Sequence, residues 1–134
     1  LECKKGDYMK TAPYLIGRML SLADQIHYHY CQHVRKGSAP SQLIGNALMA
    51  TALEEPEKAL ALYAQRILPY QAWAKTTSGE GAGLAKYFLS ELGKACSDVA
   101  LVDLPRRCAD ADKAQMLLGY LAKTEKSDST NTAH

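Results

Sequence analysis

Between residues 27 and 33 the chain carries four side chains that ligate metals: His27, His29, Cys31 and His33. Alternate spacing would align all four on one face of a strand. On a helix, at 100° per residue, His27 and Cys31 share one side while His29 and His33 share another. A helical reading therefore leaves two-ligand pairs, and a four-ligand site would need donors from elsewhere. A second candidate, Gly79-x-Gly81-x-Gly83, invites comparison with a phosphate-cradling loop. It lacks the Lys-Ser/Thr that follows such loops and has no preceding strand, so it reads as a joint between helices. There is no G-x-S-x-G elbow and no His–carboxylate spacing above chance, so nucleophilic catalysis has no motif to rest on.

Basic residues form the third candidate. The 134 residues hold 16 Lys and Arg against 14 Asp and Glu, a formal charge of only +2. That balance excludes a strongly basic nucleic-acid arm but hides a local pattern. Residues 10–53 carry Lys10, Arg18, Arg35 and Lys36 against Asp24 alone. Residues 58–107 set Lys58, Arg66, Lys75, Lys86, Lys94, Arg106 and Arg107 against four acids, while Glu54, Glu55 and Glu57 cluster between the two basic stretches. Cations spread over helix faces can track a phosphate backbone without reading sequence, whereas the bland alternative is an ordinary solvated surface. The eight Tyr, one Trp and one Phe mostly fall on helix seams and read as core before they read as base-stacking platforms.

The elements that must hold these residues are helical almost throughout. A first helix is predicted from Pro13 to Lys36, with Leu15, Met19, Leu22, Ile26, Tyr30 and Val34 as its apolar seam. A second restarts at Pro40, with Ser38 as its expected cap, and carries Ile44, Ala47, Leu48 and Thr51. A third follows the acidic cluster, whose carboxylates would favour its positive N-terminal end. It carries Leu60, Tyr63, Ile67 and Tyr70, and Pro69 should kink or end it. Beyond the Gly-rich joint a fourth helix spans Leu84 to Cys96, with Leu84, Tyr87, Phe88, Leu92 and Ala95 inward, and Val99–Val102 reads as a buried loop. A fifth opens with Asp110 as cap and buries Ala114, Leu117, Leu118 and Leu121. The expectation is an all-α, compact bundle of about five amphipathic helices over residues 12–124, between a flexible linker (1–11) and a disordered Ser/Thr/Asn-rich tail (125–134). A single core of native size is within reach of this length. The apolar runs fall short of a membrane span. The scattered Cys3, Cys31, Cys96 and Cys108 form no C-x-x-C pair, so a reducing, cytoplasmic setting is expected. No secretion signal is evident at the N-terminus, and Leu1 in place of Met reads as the mark of a chain trimmed from something longer.

Two segments carry a resemblance. Pro13-Tyr14-Leu15-Ile16-Gly17-Arg18-Met19-Leu20-Ser21-Leu22 resembles the "YLLGRLFAVLEKIQ"-like helix that opens the C-terminal region of the type I-C CRISPR Cascade large subunit. Ala114-Gln115-Met116-Leu117-Leu118-Gly119-Tyr120 resembles that family's closing "Q-x-x-F-x-L-G-Y-Y" helix. Order and approximate spacing agree over residues 12–123, although Leu121-Ala122-Lys123 stand where the family continues with aromatic and His-Gln residues. The resemblance implies a helical bundle similar to a separate Cascade small subunit, for which Met9 would serve as an internal start. It implies no catalytic residue, no cofactor and no metal. The implied partners are single-stranded DNA, the guide RNA–DNA duplex and other Cascade subunits, copies of itself among them. Arg18, inside the first motif, and Arg66, Lys75, Lys86, Lys94, Arg106 and Arg107, chosen for charge and expected exposure, are the candidate backbone contacts. Arg18 has an equal alternative role as a helix anchor through a buried ion pair. A helical adaptor that associates through its Tyr and Leu seams, without nucleic acid, is the rival reading, and a metal protein built on His27–His33 a more distant one.

Overall fold

A computed structural model describes residues 11–34, 42–79 and 81–122. Among the described residues it contains six α-helices and no strand: α1 (Ala12–Val34), α2 (Ile44–Glu54), α3 (Pro56–Arg66), α4 (Leu68–Thr76), α5 (Ala82–Ala100) and α6 (Asp110–Leu121). The all-α class and bundle architecture expected from the apolar spacing are what the chain adopts. The extra helix comes from a break at Ile67, beyond which α4 restarts with Pro69 in its first turn, where its missing N–H costs nothing. The expected linker, the Ser38 cap, the Pro40 start and the C-terminal tail lie outside the described residues. So do Arg35, Lys36 and Glu80.

The first helix does more than the single seam read from its sequence. Leu15, Met19, Leu22 and Ile26 are buried as expected, but so are Ile16, Leu20, Ala23, Asp24 and His27 on the adjoining stripe. This follows from its position: α1 is the central rod, packed against α6, α5, α2 and α4. A helix buried nearly all round must be apolar nearly all round. Towards its C-terminal end the surroundings thin out, leaving Tyr30 half-buried and Val34 exposed. Phe88 and Leu92 of α5 are buried in the same core, each worth about 2–3 kcal/mol relative to exposure.

The structure corrects several boundaries and faces. The second helix begins at Ile44, after Leu43, and buries Ile44, Leu48 and Ala52, leaving Ala47 exposed and Thr51 half-buried. Glu54 ends α2 and Glu55 joins it to α3, so of the acidic cluster only Glu57 sits in the first turn of α3. The fourth predicted helix is longer at both ends, and Val99 is buried in its last turn instead of in a loop, while Leu101 beyond it is exposed. Gly79 and Gly81 both have positive φ, +88° and +85°, a conformation suited to glycine that turns the chain from α4 into α5. Asp110 lies in the first turn of α6, not at its cap. Ala109 holds that place, and its N–H donates to Asp112 Oδ2 at 2.9 Å, the returning half of a capping box.

The largest correction concerns the inner face of α6. Ala114, Leu117, Leu118 and Leu121, expected in the core, are all exposed, and Met116 and Gly119 are buried instead. The cause is the crossing of α6 over α1. A Cβ on Gly17 would collide with the backbone of Met116 and Tyr120, and one on Gly119 with the backbone of Tyr14 and Arg18. Two side-chain-free positions let the helix backbones touch, and that contact, not leucine burial, sets the rotation of α6 about its axis.

Candidate nucleic-acid interface

The seven candidate cations fall into different physical situations. Arg18 is half-buried on α1, and its Nη1 donates to the carbonyl of Ala122 at 3.4 Å, just past the end of α6. Its anchoring role is therefore met by a carbonyl at a helix C-terminus, where a cation is favoured, and not by an ion pair. The Lys86 ammonium plays a similar part between neighbouring helices, donating to the carbonyls of Thr77 (2.8 Å), Lys75 (3.3 Å) and Ala74 (3.5 Å) at the end of α4. Lys94 pairs with Glu91 one turn earlier at 3.0 Å, and the hydrogen bond it donates to this carboxylate raises its pKa.

Arg66, Lys75 and Arg106 are exposed, and among the described residues no hydrogen bond or ion pair engages their side chains. Arg66 ends α3, Lys75 sits in the last turn of α4, and Arg106 lies in the α5–α6 connection. Arg107, beside Arg106, is exposed and near enough to help hold the Glu54 carboxyl below its usual range, although Lys113, bonded to Glu54 at 2.9 Å, is the main cause. The fold thus brings Lys75 and Lys86 together at the α4–α5 joint. Arg18 stands about 16 Å further along α1 from the His29 turn that packs on Phe88. Single phosphate contacts at separate places on the bundle are the arrangement these positions offer.

Arg66 also stands at the rim of a pocket of about 320 Å³, lined by His27, Gln42, Ile44, Gln65 and Tyr70 among others. Behind it lies the polar feature that sequence reasoning missed. The first turn of α2 has no side-chain cap of its own, since Leu43 occupies the N-cap. Its N–H groups are met from α1 instead: Ile44 donates to His27 Nδ1 at 3.1 Å and Gly45 to Asp24 Oδ1. Tyr120 of α6 donates its hydroxyl to the other carboxylate oxygen of Asp24. Burial is the main influence on Asp24 and raises its pKa, against the hydrogen bonds from Tyr120 and the Gly45 backbone. Burial followed by the Asp24 contact raises that of the Tyr120 phenol. His27 accepts at Nδ1, so its ring is neutral in this arrangement, and it stacks on Tyr70 with centroids 4.3 Å apart. The signal available in the sequence was an Asp and a His three apart on an apolar face, followed by a helix lacking a capping residue.

The remaining imidazoles are packing elements. His29 lies against Phe88 (5.7 Å) and His33 (6.3 Å), and His33 against Trp73 (6.3 Å). Burial, aided by His33, lowers the His29 pKa and so favours its neutral ring. Among the described residues no three His, Cys, Asp or Glu side chains come together as metal ligands. Cys31, Cys96 and Cys108 are free thiols. No helix among the described residues is long and apolar enough to cross a membrane.

Comparison with known proteins yields no matching family model, no matching curated protein and no matching solved structure.

Proposed function

We propose that this chain is a non-catalytic, cytoplasmic subunit of a CRISPR surveillance complex of the Cascade kind. In this role it holds the displaced single DNA strand and the guide–target duplex by their backbones, among other subunits that include copies of itself. The observation carrying this reading is the meeting of the two segments that resemble the family. They lie about a hundred residues apart in sequence, yet Gly17 of the first and Gly119 of the second form one backbone-to-backbone crossing. The paired glycines account physically for why each segment needs its Gly, so the two likenesses belong to one packing unit. The exposed cations supply the chemistry. R-loop formation is close to energetic balance, and a few sequence-independent phosphate contacts are enough to tip it.

Co-expression with a guide RNA and Cascade backbone subunits tests the proposal. The chain should co-purify with the ribonucleoprotein and increase its retention of single-stranded DNA in a salt-dependent manner. A complex that assembles without it, and binds DNA equally well in its absence, would sink the idea. A second reading, a helical adaptor without nucleic acid, draws on the exposed leucines of α6. It predicts protein association that is indifferent to salt.

A further inference from the structure

Four helices meet around the pocket of about 320 Å³, a volume at the low end of the roughly 300–1,000 Å³ range of small-molecule sites. His27 of α1 and Ile44 of α2, both buried, form its floor. Ala47 of α2 and Pro69 and Tyr70 of α4 form its walls, and Arg66 of α3 stands at the mouth. Floor and walls are apolar or aromatic, with the His27 and Tyr70 rings stacked 4.3 Å apart. Because His27 accepts the Ile44 N–H at Nδ1, its ring is neutral and brings no charge. Gln42 and Gln65 add uncharged amides, both on exposed residues. Among the described residues lining the pocket, Arg66 alone is charged. Its guanidinium is exposed, and no hydrogen bond or ion pair among the described residues engages it.

We infer that this pocket binds a small aromatic carboxylate, with its flat body inside against Ile44, Pro69 and Tyr70 and its carboxylate at the mouth on Arg66. Each part of that ligand answers a feature of the site. The body must be apolar, because a polar one would lose its water without gaining partners from the floor. A flat ring suits aromatic walls, and the volume admits about one or two rings. The charge must be negative and at one end, since only the mouth offers a counter-ion. A planar guanidinium holds a carboxylate by two parallel hydrogen bonds. A phosphate ester, near −2 at neutral pH, would be only partly matched by one cation. Neither DNA nor another subunit enters this inference, so it stands apart from the function proposed above. Arg66 is nonetheless shared: a bound acid would withdraw it from the candidate phosphate contacts.

Calorimetric titration of the full chain with 1-naphthylacetate, 1-naphthylacetamide and 1-naphthyl phosphate tests it, because the three share a ring system and differ in the end group. The acetate should bind one to one, and the amide and the phosphate each at least about tenfold more weakly. Arg66→Gln should weaken the acetate at least about tenfold and leave the affinity for the amide unchanged, and Arg66→Lys should recover part of the loss. Ala47→Phe, at an exposed position of α2, should fill the pocket and abolish binding of all three while the far-ultraviolet circular dichroism stays the same. No saturable binding of the acetate up to about 5 mM overturns the inference. Equal binding of acetate and amide, or acetate binding that survives Ala47→Phe, does the same. Phosphate binding tighter than acetate overturns the carboxylate and assigns the pocket to a phosphorylated ligand.

Discussion

Gly17 and Gly119 sit against each other's helices so closely that a methyl group on either would overlap the opposite backbone. The α1–α6 crossing is the most extensive helix contact in the molecule, and it is built on the absence of two side chains.

Gly17→Ala and Gly119→Ala should each destabilise the protein by about 2–3 kcal/mol, because backbone, unlike a side-chain tip, cannot move aside. In thermal unfolding this corresponds to a loss of about 10 °C in Tm. Gly93→Ala is the control: it lies inside α5 with nothing near its Cβ position, and should gain about 0.5–1 kcal/mol from helix propensity. If all three substitutions moved Tm alike, the close crossing would be wrong.

Asp24 gives a pH signature. Its folded-state pKa lies above its ordinary value of 3.8, so the folded protein holds this proton more tightly than the unfolded chain. Stability from this group is fully present below pH 3.8 and declines as pH rises through the folded-state value. Asp24→Asn keeps an acceptor for the Gly45 N–H and should flatten that decline in urea titrations run from pH 4 upward. Asp24→Ala leaves the Gly45 N–H and the Tyr120 hydroxyl without their acceptor, and should cost about 2–4 kcal/mol at neutral pH.

Lys86→Met retains the aliphatic stem but removes the ammonium that meets three carbonyls at the end of α4. Hydrogen exchange at the end of α4 should quicken while exchange in α1 stays protected. Uniform loss of protection across the bundle would contradict a local capping role.

In the proposed nucleic-acid role, glutamine at Arg66, Lys75 and Arg106 together should reduce the slope of log K against log salt for single-stranded DNA by about 2, at about 0.7 per phosphate contact. Glutamine at Lys86 and Lys94, whose charges are engaged by the α4 carbonyls and Glu91, should change it by less than half as much. An unchanged slope in the first variant would remove these three residues from the interface.

Helix positions were largely legible in the chain because apolar residues three and four apart recur wherever a helix faces the core: Leu15 to Ile26, and Phe88, Leu92 and Ala95. The facing of α6 was not legible. Hydrophobic pattern weights leucine and ignores glycine, yet Gly119 chose the inner side and left the leucines outside. Candidate cations could be found as charges but not sorted. Whether Lys86 is free depends on where the end of α4 comes to rest, which no local spacing reveals. Asp24 reads as one acid among surrounding bases, whereas its neighbours place it under α2 as that helix's cap.

Because α1 is enclosed by helices that follow it in sequence, its burial waits on their synthesis. On a ribosome α1 emerges with an apolar surface on nearly every side, and the surface that needs Gly119 stays uncovered until α6 is out. Chaperone capture of nascent chains should therefore be strongest just before α6 appears, and a chain stopped at residue 109 should be held or degraded instead of released folded.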